Sequence, residues 1–383
     1  MYQYTLFSIF LLGLVLTSHA YHPTWTVIGA GPAGIVTVST LIDNGTPADH
    51  IHWVDASFTV GRLGAYYNNV PANSCVADFI EFLTGSATCI QHGYEAIAQL
   101  NTYDHASYQP LRVVTEPLQH ITNNVRTVVH SHIGTAHTLD CVNGTWYTTC
   151  DTGETIASNY VVLATGARPR VLDYQVNDVI PLDAALNKDS LAQYVTSDDT
   201  VCVVGSAHSA ILLLKYLTEL SVRHIINLYR RPLIYAYHDG TNSIHPASGL
   251  KGIAAQWAYH VLEHNLPDNL TRVYNDEDNR DIYLPDCTKI IYAVGYERNP
   301  LPTFSGTEFA TYDGRTGVIA PGLFGIGIAF PEQGTDSLGN REYLVGVNSF
   351  LSYAQRVVPY WMTNPEPTEH NKECNFSLII DTW

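Results

Sequence analysis

Trp25-Thr-Val-Ile-Gly29-Ala-Gly31-Pro32-Ala33-Gly34 decides the fold of this chain. The stretch reads as a short apolar strand, a glycine turn and the start of a helix. Gly29 permits the tight turn, Gly31 lets backbone N–H groups approach a pyrophosphate, and Gly34 allows the helix to pack closely on the strand. Pro32 and Ala33 open the helix, whose positive end would face the phosphates. A second apolar run, Ile51-His-Trp-Val54, ends at Asp55, 21 residues after Gly34, where a carboxylate accepts ribose hydroxyls. A lone G-x-G-x-x-G is weak evidence. Strand, turn, helix, strand and acid in that order specify a dinucleotide site.

The chain has 383 residues, enough for two domains with separate cores. Its 46% hydrophobic and 14% charged content is that of a globular protein. A formal charge of −17 argues against nucleic acid and anionic membrane surfaces as partners; a small-molecule substrate is the expected partner. Leu6 to Leu16 is an almost unbroken apolar run, and Ser18-His19-Ala20 supplies small residues at signal-peptidase spacing. Residues 1–20 therefore read as a signal peptide, with a mature start near Tyr21. The destination is the secretory pathway: endoplasmic reticulum lumen, periplasm or extracellular space. A retained N-terminal membrane anchor is the alternative, although eleven residues are short for a bilayer span.

Seven cysteines include no C-x-x-C pair. In an oxidising compartment Cys141 could bridge Cys150 across an Asn-Gly hairpin, and Cys75 could bridge Cys89; buried thiols are the other reading.

After Asp55 comes a polar, glycine-marked loop from Phe58 through Gly61 to Asn73, then helical patterning at Val76–Leu83 and Tyr94–Leu100. From Val125 to Val162 the pattern alternates as in short antiparallel strands. It closes on Tyr160-Val-Val-Leu-Ala164-Thr165-Gly166. A second strand–turn–helix starts at Thr200-Val-Cys-Val-Val204 and runs through Gly205-Ser206-Ala207-His208-Ser-Ala210, the phosphate turn with two alanines in place of glycines. The next strand, His224–Tyr229, ends in Arg230-Arg231 where an NAD site would carry an acid. Arginine there favours the 2′-phosphate of NADP; solvated surface arginines are the alternative. A third apolar strand reaches Val294-Gly295-Tyr296, another runs from Gly322 to Gly327, and a final helix spans about Tyr343 to Trp361. The expected fold class is α/β: two Rossmann-like three-layer domains with a small antiparallel β-meander. The FAD-binding domain would comprise 21–175 and 299–383, with a NAD(P)H-binding domain inserted at 176–298.

This layout resembles the two-dinucleotide-binding-domain flavoproteins over nearly the whole chain after Ala20. Gly29–Gly34 with Asp55 is similar to their FAD turn and ribose acid. Ala164-Thr165-Gly166 and Ala293-Val294-Gly295 are similar to their crossover segments, Gly205–Ala210 to their NAD(P)H turn, and Gly322–Gly327 to the strand that returns to the flavin. The missing C-x-x-C excludes the dithiol relay of the disulfide reductases. Tyr67-Asn-Asn69-Val-Pro71 resembles the Asn-x-Pro element of the flavin-containing and N-hydroxylating monooxygenases. Gly205–Ala210 and Val294-Gly295-Tyr296 resemble their Gly-Ser-x-x-Ser-Ala turn and Thr-Gly-Tyr segment. Their F-x-G-x-x-x-H fingerprint is not present, so the resemblance is to a divergent relative.

The resemblance implies FAD and NADPH as cofactors. NADPH, bound across Gly205 and Arg230, would reduce FAD; a flavin hydroperoxide would then pass oxygen to a soft N or S nucleophile. Asn69 is the catalytic candidate, as the amide beside the flavin, with Asn73 as its substitute. Without the resemblance, Asn68 and Asn69 read as turn caps. His208 reads equally as a phosphate contact or as a side chain packed beneath the turn. The alternatives are an NAD(P)H:acceptor reductase acting on a quinone or small molecule, and a flavin-binding pseudoenzyme.

Overall fold

The computed structural model describes residues 24–304 and 312–363, apart from 175, 177, 240, 241 and 246. The 1–20 leader and Cys374 lie outside the described residues. Trp25–Ile28 forms the centre of a six-stranded sheet, flanked in parallel by Ile51–Asp55 and Tyr160–Leu163. His130–Ile133 extends one edge; Leu323–Gly325 and Val318–Ala320 extend the other, so strands from both ends of the chain share one sheet. All four residues Trp25–Ile28 are buried, as befits a parallel strand covered on both faces. Helices Pro32–Asp43 and Val347–Thr363 pack on one face. The antiparallel strands Ala136–Val142, Thr145–Cys150 and Thr155–Ser158 cover the other, where Leu139 and Trp146 meet Ile28, Val161 and Leu163.

The segment between these parts builds a second sheet, all parallel, in the order Leu270–Tyr274, His224–Tyr229, Thr200–Val204, Lys289–Tyr292. Helix His208–Glu219 covers one face. The two linking strands, Ala167–Pro169 and Tyr296–Arg298, pair antiparallel with each other. The chain thus has the α/β fold with two dinucleotide-binding domains and a small β-meander. No helix among the described residues is long and apolar enough to cross a membrane.

Several local expectations change. Val125–His130 is not a meander strand: Arg112–Val125 is a helix, and His130–Ile133 pairs in parallel with Ile51–Asp55. Pro117 lies inside that helix and masks its apolar spacing. A short helix, Gly61–Tyr66, interrupts the loop after Asp55. The last helix starts at Val347, because Arg341–Leu344 pairs with Glu332–Thr335 as a hairpin.

The Asn143-Gly144 turn has positive φ at both residues, the hairpin geometry its sequence suggests. Yet its register pairs Cys141 with Trp146 and Cys150 with Ala136. Four residues of strand, about 13 Å, separate Cys150 from the position opposite Cys141, beyond disulfide reach. Cys75 and Cys89 are also free thiols.

At the edge of the first sheet, His52 Nδ1 lies 3.0 Å from His132 Nε2, and His132 Nδ1 lies 2.8 Å from Glu154. Burial, then His132 and His130, push the His52 pKa down to about 4, with Glu154 opposing. Between that value and the ordinary 6.5, the unfolded chain binds a proton that the folded chain refuses. The stability this group contributes is whole above pH 6.5 and is lost as pH falls towards 4. His52→Gln should therefore gain stability relative to the parent between pH 7 and pH 5 in paired urea titrations. An unchanged difference across that range contradicts this.

Candidate active site

The two turns are built alike. Gly29 N–H donates to Val54 O at 2.8 Å, and Gly205 N–H donates to Leu228 O at 2.9 Å. Both glycines have positive φ, +112° and +134°. A Cβ on Gly29 would stand 2.2 Å from Ala164 O, and one on Gly205 2.2 Å from Ala293 O. The crossover segments ending in Gly166 and Gly295 thus pass directly over each turn, and only glycine fits beneath them. Trp53 Nε1 donates to Gly29 O at 2.9 Å. The fully buried Asn227 donates to Val203 O and Gly205 O, and Arg272 Nε donates back to its Oδ1.

Gly31 differs from Gly29. Its backbone is extended, and a Cβ would meet nothing closer than the Gly61 Cα, 4.0 Å away. Gly31 and Gly61 approach each other closely, a Cβ on Gly61 standing 3.0 Å from the Gly31 Cα. Together they floor a cradle at the N-terminus of helix Pro32–Asp43, whose first N–H groups have no capping side chain. Uncapped N–H groups and free space suit a pyrophosphate. Gly34 lies against the Gly29 carbonyl, and Gly327 touches Ala33. Asp55 accepts from Ala30 N–H at 2.8 Å and from Ser57 and Phe58 N–H, which fixes its carboxylate at the cradle's rim. The donor set fits FAD.

From this cradle a cleft of about 580 Å³ extends between the domains. Gly29, Gly31, Pro32, Asp55, Gly61, Thr165 and Gly166 line it together with Asn73, His208 and Phe350. Asn69 is not among the lining residues. Its segment pairs with the start of helix Arg112–Val125, through Arg112 N–H to Asn68 O and Leu111 N–H to Val70 O. That pairing leaves Asn69 exposed, its Oδ1 3.5 Å from Arg112 Nη1. Asn68 accepts from the Thr115 hydroxyl and donates to Gly64 O, so it is the turn cap. Asn73 faces the cleft, and its amide has no hydrogen-bond partner among the described residues.

Sequence reading missed the polar network on the cleft wall. Asp183, from the second domain, accepts from both Arg62 and Tyr67, and Tyr296 OH donates to Tyr67 OH at 3.0 Å. Burial, followed by Tyr296 and Asp183, raises the Tyr67 pKa, and burial pushes Tyr296 up to about 12. Both phenols are therefore protonated donors at neutral pH. Asp183→Ala leaves Arg62 and Tyr67 without their acceptor at the domain junction and should cost about 2 kcal/mol. Chemical denaturation measures this; a loss within experimental scatter contradicts it.

The second turn faces another cavity, of about 440 Å³. Gly205, Ser206, Ala207 and Val294 line it, with Arg170, Arg230, Arg231 and Arg341. Four of the chain's 19 Lys+Arg side chains thus meet at one cavity in a protein of net charge −17. Ala207 has the same extended backbone as Gly31, so its methyl narrows the turn without straining it. Ala210 is buried under the turn. Arg341 arrives on the hairpin from the first domain, clasped there by Glu342, which accepts from Ala247 N–H, Ser248 N–H and Ser248 Oγ. His245, Asp336 and Glu342 place donor atoms within 4.8 Å of one another, but both carboxylates are committed to N–H and O–H groups. They form a clasp, not a metal centre. The guanidinium groups and the uncapped helix His208–Glu219 fit the phosphates of NADPH.

Among the described residues no cysteine lines either cavity. On the other face of the second sheet Cys287 Sγ donates to Tyr283 O at 3.2 Å, and the neighbouring Cys287 thiol together with burial raises the Cys202 pKa.

Residues 24–320 match the pyridine nucleotide-disulphide oxidoreductase family. The chain is 29% identical over 383 residues to Monooxygenase AgnR1 of Paecilomyces divaricatus, covering 88% of this chain and 97% of that protein. Its fold is similar to the ornithine N-hydroxylase of Kutzneria sp. 744, at a TM-score of 0.60 and 12% identity over 89% of this chain and 99% of that one. It is also similar to Lactococcus lactis thioredoxin reductase, at a TM-score of 0.53 and 12% identity over 89% and 98%. The chain belongs to the pyridine nucleotide-disulphide oxidoreductase family and is an FAD- and NAD(P)-dependent oxidoreductase.

Proposed function

We propose that this chain is an NADPH-dependent flavin monooxygenase that transfers one oxygen atom from dioxygen to a soft nitrogen or sulfur nucleophile. The observation that carries the reading is the cleft beside the FAD cradle, which among the described residues is free of cysteine and holds one uncommitted amide, that of Asn73. The 29% identity to a monooxygenase over most of both chains supports the same direction. Bound FAD would supply the redox chemistry, accepting hydride from NADPH and activating dioxygen.

The protein's own groups divide the rest of the work. Gly31, Gly61 and Asp55 hold the FAD pyrophosphate and ribose. Arg230 and Arg231, joined by Arg170 and Arg341, hold the NADPH 2′-phosphate. Val70, Ile328, Val345 and Phe350 form an apolar wall that keeps water from the reacting atoms. Asn73 donates an N–H hydrogen bond to oxygen without releasing a proton, as an amide must. Asn73, rather than Asn69, is the catalytic residue in this reading.

The test is product stoichiometry with the FAD-loaded protein, NADPH and two probes, a tertiary amine and a thioether. One oxide formed per NADPH consumed is the expected result. NADPH oxidation that needs a quinone and yields no oxide would place the chain with the acceptor reductases.

A further inference from the structure

The helix His208–Glu219 has two sides at its N-terminus. Gly205, Ser206 and Ala207 face the arginine cavity, whereas His208 and Ser209 face the flavin cleft. A dinucleotide that crosses this helix end leaves its phosphorylated adenosine half among the arginines and enters the cleft past His208. At that crossing the chain places an imidazole with both ring nitrogens buried and no partner in hydrogen-bonding geometry for either, the Pro71 carbonyl lying near the ring but outside that geometry. Buried polar atoms in a folded protein almost always have partners, so two orphans on one ring at a ligand passage call for an incoming polar group.

Which group follows from the charge. Burial, then the nearby Lys251 ammonium, push the His208 pKa down to about 4, with the Pro71 carbonyl opposing. Lys251 is itself faced by Asp78 and Glu342. The ring is therefore neutral at physiological pH, with one nitrogen a donor and the other an acceptor. An uncharged ring of that kind matches a carboxamide and ribose hydroxyls, while the anionic groups have guanidinium partners elsewhere. We propose that His208 receives the nicotinamide half of NADPH, its neutral imidazole hydrogen-bonding the uncharged polar groups of that half at the entrance to the flavin cleft. This rests on the NADPH reading above.

The test uses the FAD-loaded protein and isothermal titration with two ligands. NADP⁺ carries the nicotinamide half; adenosine 2′,5′-bisphosphate carries only the arginine-bound half. His208→Leu should weaken NADP⁺ about tenfold and leave the bisphosphate unchanged. His208→Gln, which keeps a donor and an acceptor, should recover most of the loss. NADP⁺ binding at pH 7 should take up no proton when measured in buffers of different ionisation enthalpy. Equal weakening of both ligands by His208→Leu would mean the ring only packs the turn, and would overturn the proposal. So would unchanged NADP⁺ binding, or a proton uptake that vanishes in the variant and marks a phosphate contact. A parent protein that binds neither ligand overturns the NADPH reading itself, and the proposal with it.

Discussion

Gly31→Val should give a folded protein that does not retain FAD. The backbone at Gly31 is extended, which valine adopts freely, and the nearest atom to an added Cβ is 4.0 Å away. The added Cβ therefore makes only ordinary van der Waals contact in the empty protein. Its isopropyl group occupies the floor of the cradle beside Gly61, and it separates the uncapped N–H groups of helix Pro32–Asp43 from the pyrophosphate. The expected loss is about 1000-fold in FAD affinity, about 4 kcal/mol, with little change in the denaturation midpoint without cofactor. Gly29→Val is the informative contrast. There a Cβ meets the Ala164 carbonyl at 2.2 Å with φ at +112°, so the fold itself is lost. Fluorescence titration of FAD into the refolded variants separates the two. Retention of yellow holoprotein by Gly31→Val would remove the cradle from the site.

The second large effect is on cofactor choice. Arg230 and Arg231 follow the strand His224–Tyr229 and line the arginine cavity. Each charge-assisted contact to a phosphate contributes about 1.5–3 kcal/mol, and both arginines are exposed, which places them at the low end. Arg230→Ala/Arg231→Ala should therefore reduce kcat/KM for NADPH about 100-fold, about 2.7 kcal/mol, and leave NADH nearly unchanged. Parallel steady-state measurements with the two nucleotides give the ratio directly. An equal fall for both would assign the arginines to the shape of the turn and not to the 2′-phosphate.

What could be read from the residues was whatever is dictated locally. Gly34 packs on the Gly29 carbonyl within its own strand–turn–helix unit, and the positive φ of Gly29 and Gly205 belongs to the turn itself. Their spacing therefore shows in the linear chain, even though Ala164 and Ala293, which close over the turns, lie far away in sequence. Asp55 and the Arg230-Arg231 pair end strands whose apolar runs are plain. The failures share a cause: the deciding contact lies far away in sequence. Asn69 is turned outward by pairing with residues near 110, which nothing between 60 and 73 announces. Arg341 reaches the arginine cavity only because Glu342 clasps the loop at 247–248. Asp183 meets Arg62 and Tyr67 across the domain junction. Helix Arg112–Val125 was hidden by Pro117 and by a polar sequence whose apolar residues matter only once they reach the core. Cys141 and Cys150 read as a pair that could bridge because they flank one hairpin, but the Asn143-Gly144 turn sets a register that separates them.

In a monooxygenase one oxygen atom of dioxygen ends on the substrate. Turnover of the FAD-loaded protein with NADPH and a thioether under ¹⁸O₂ in ordinary water measures this directly, by mass spectrometry of the product. A sulfoxide that carries one ¹⁸O, with one NADPH oxidised for each, is the predicted result. NADPH oxidation that reduces all of the dioxygen to unattached peroxide, with no label in the thioether, would contradict it and leave an oxidoreductase that does not oxygenate.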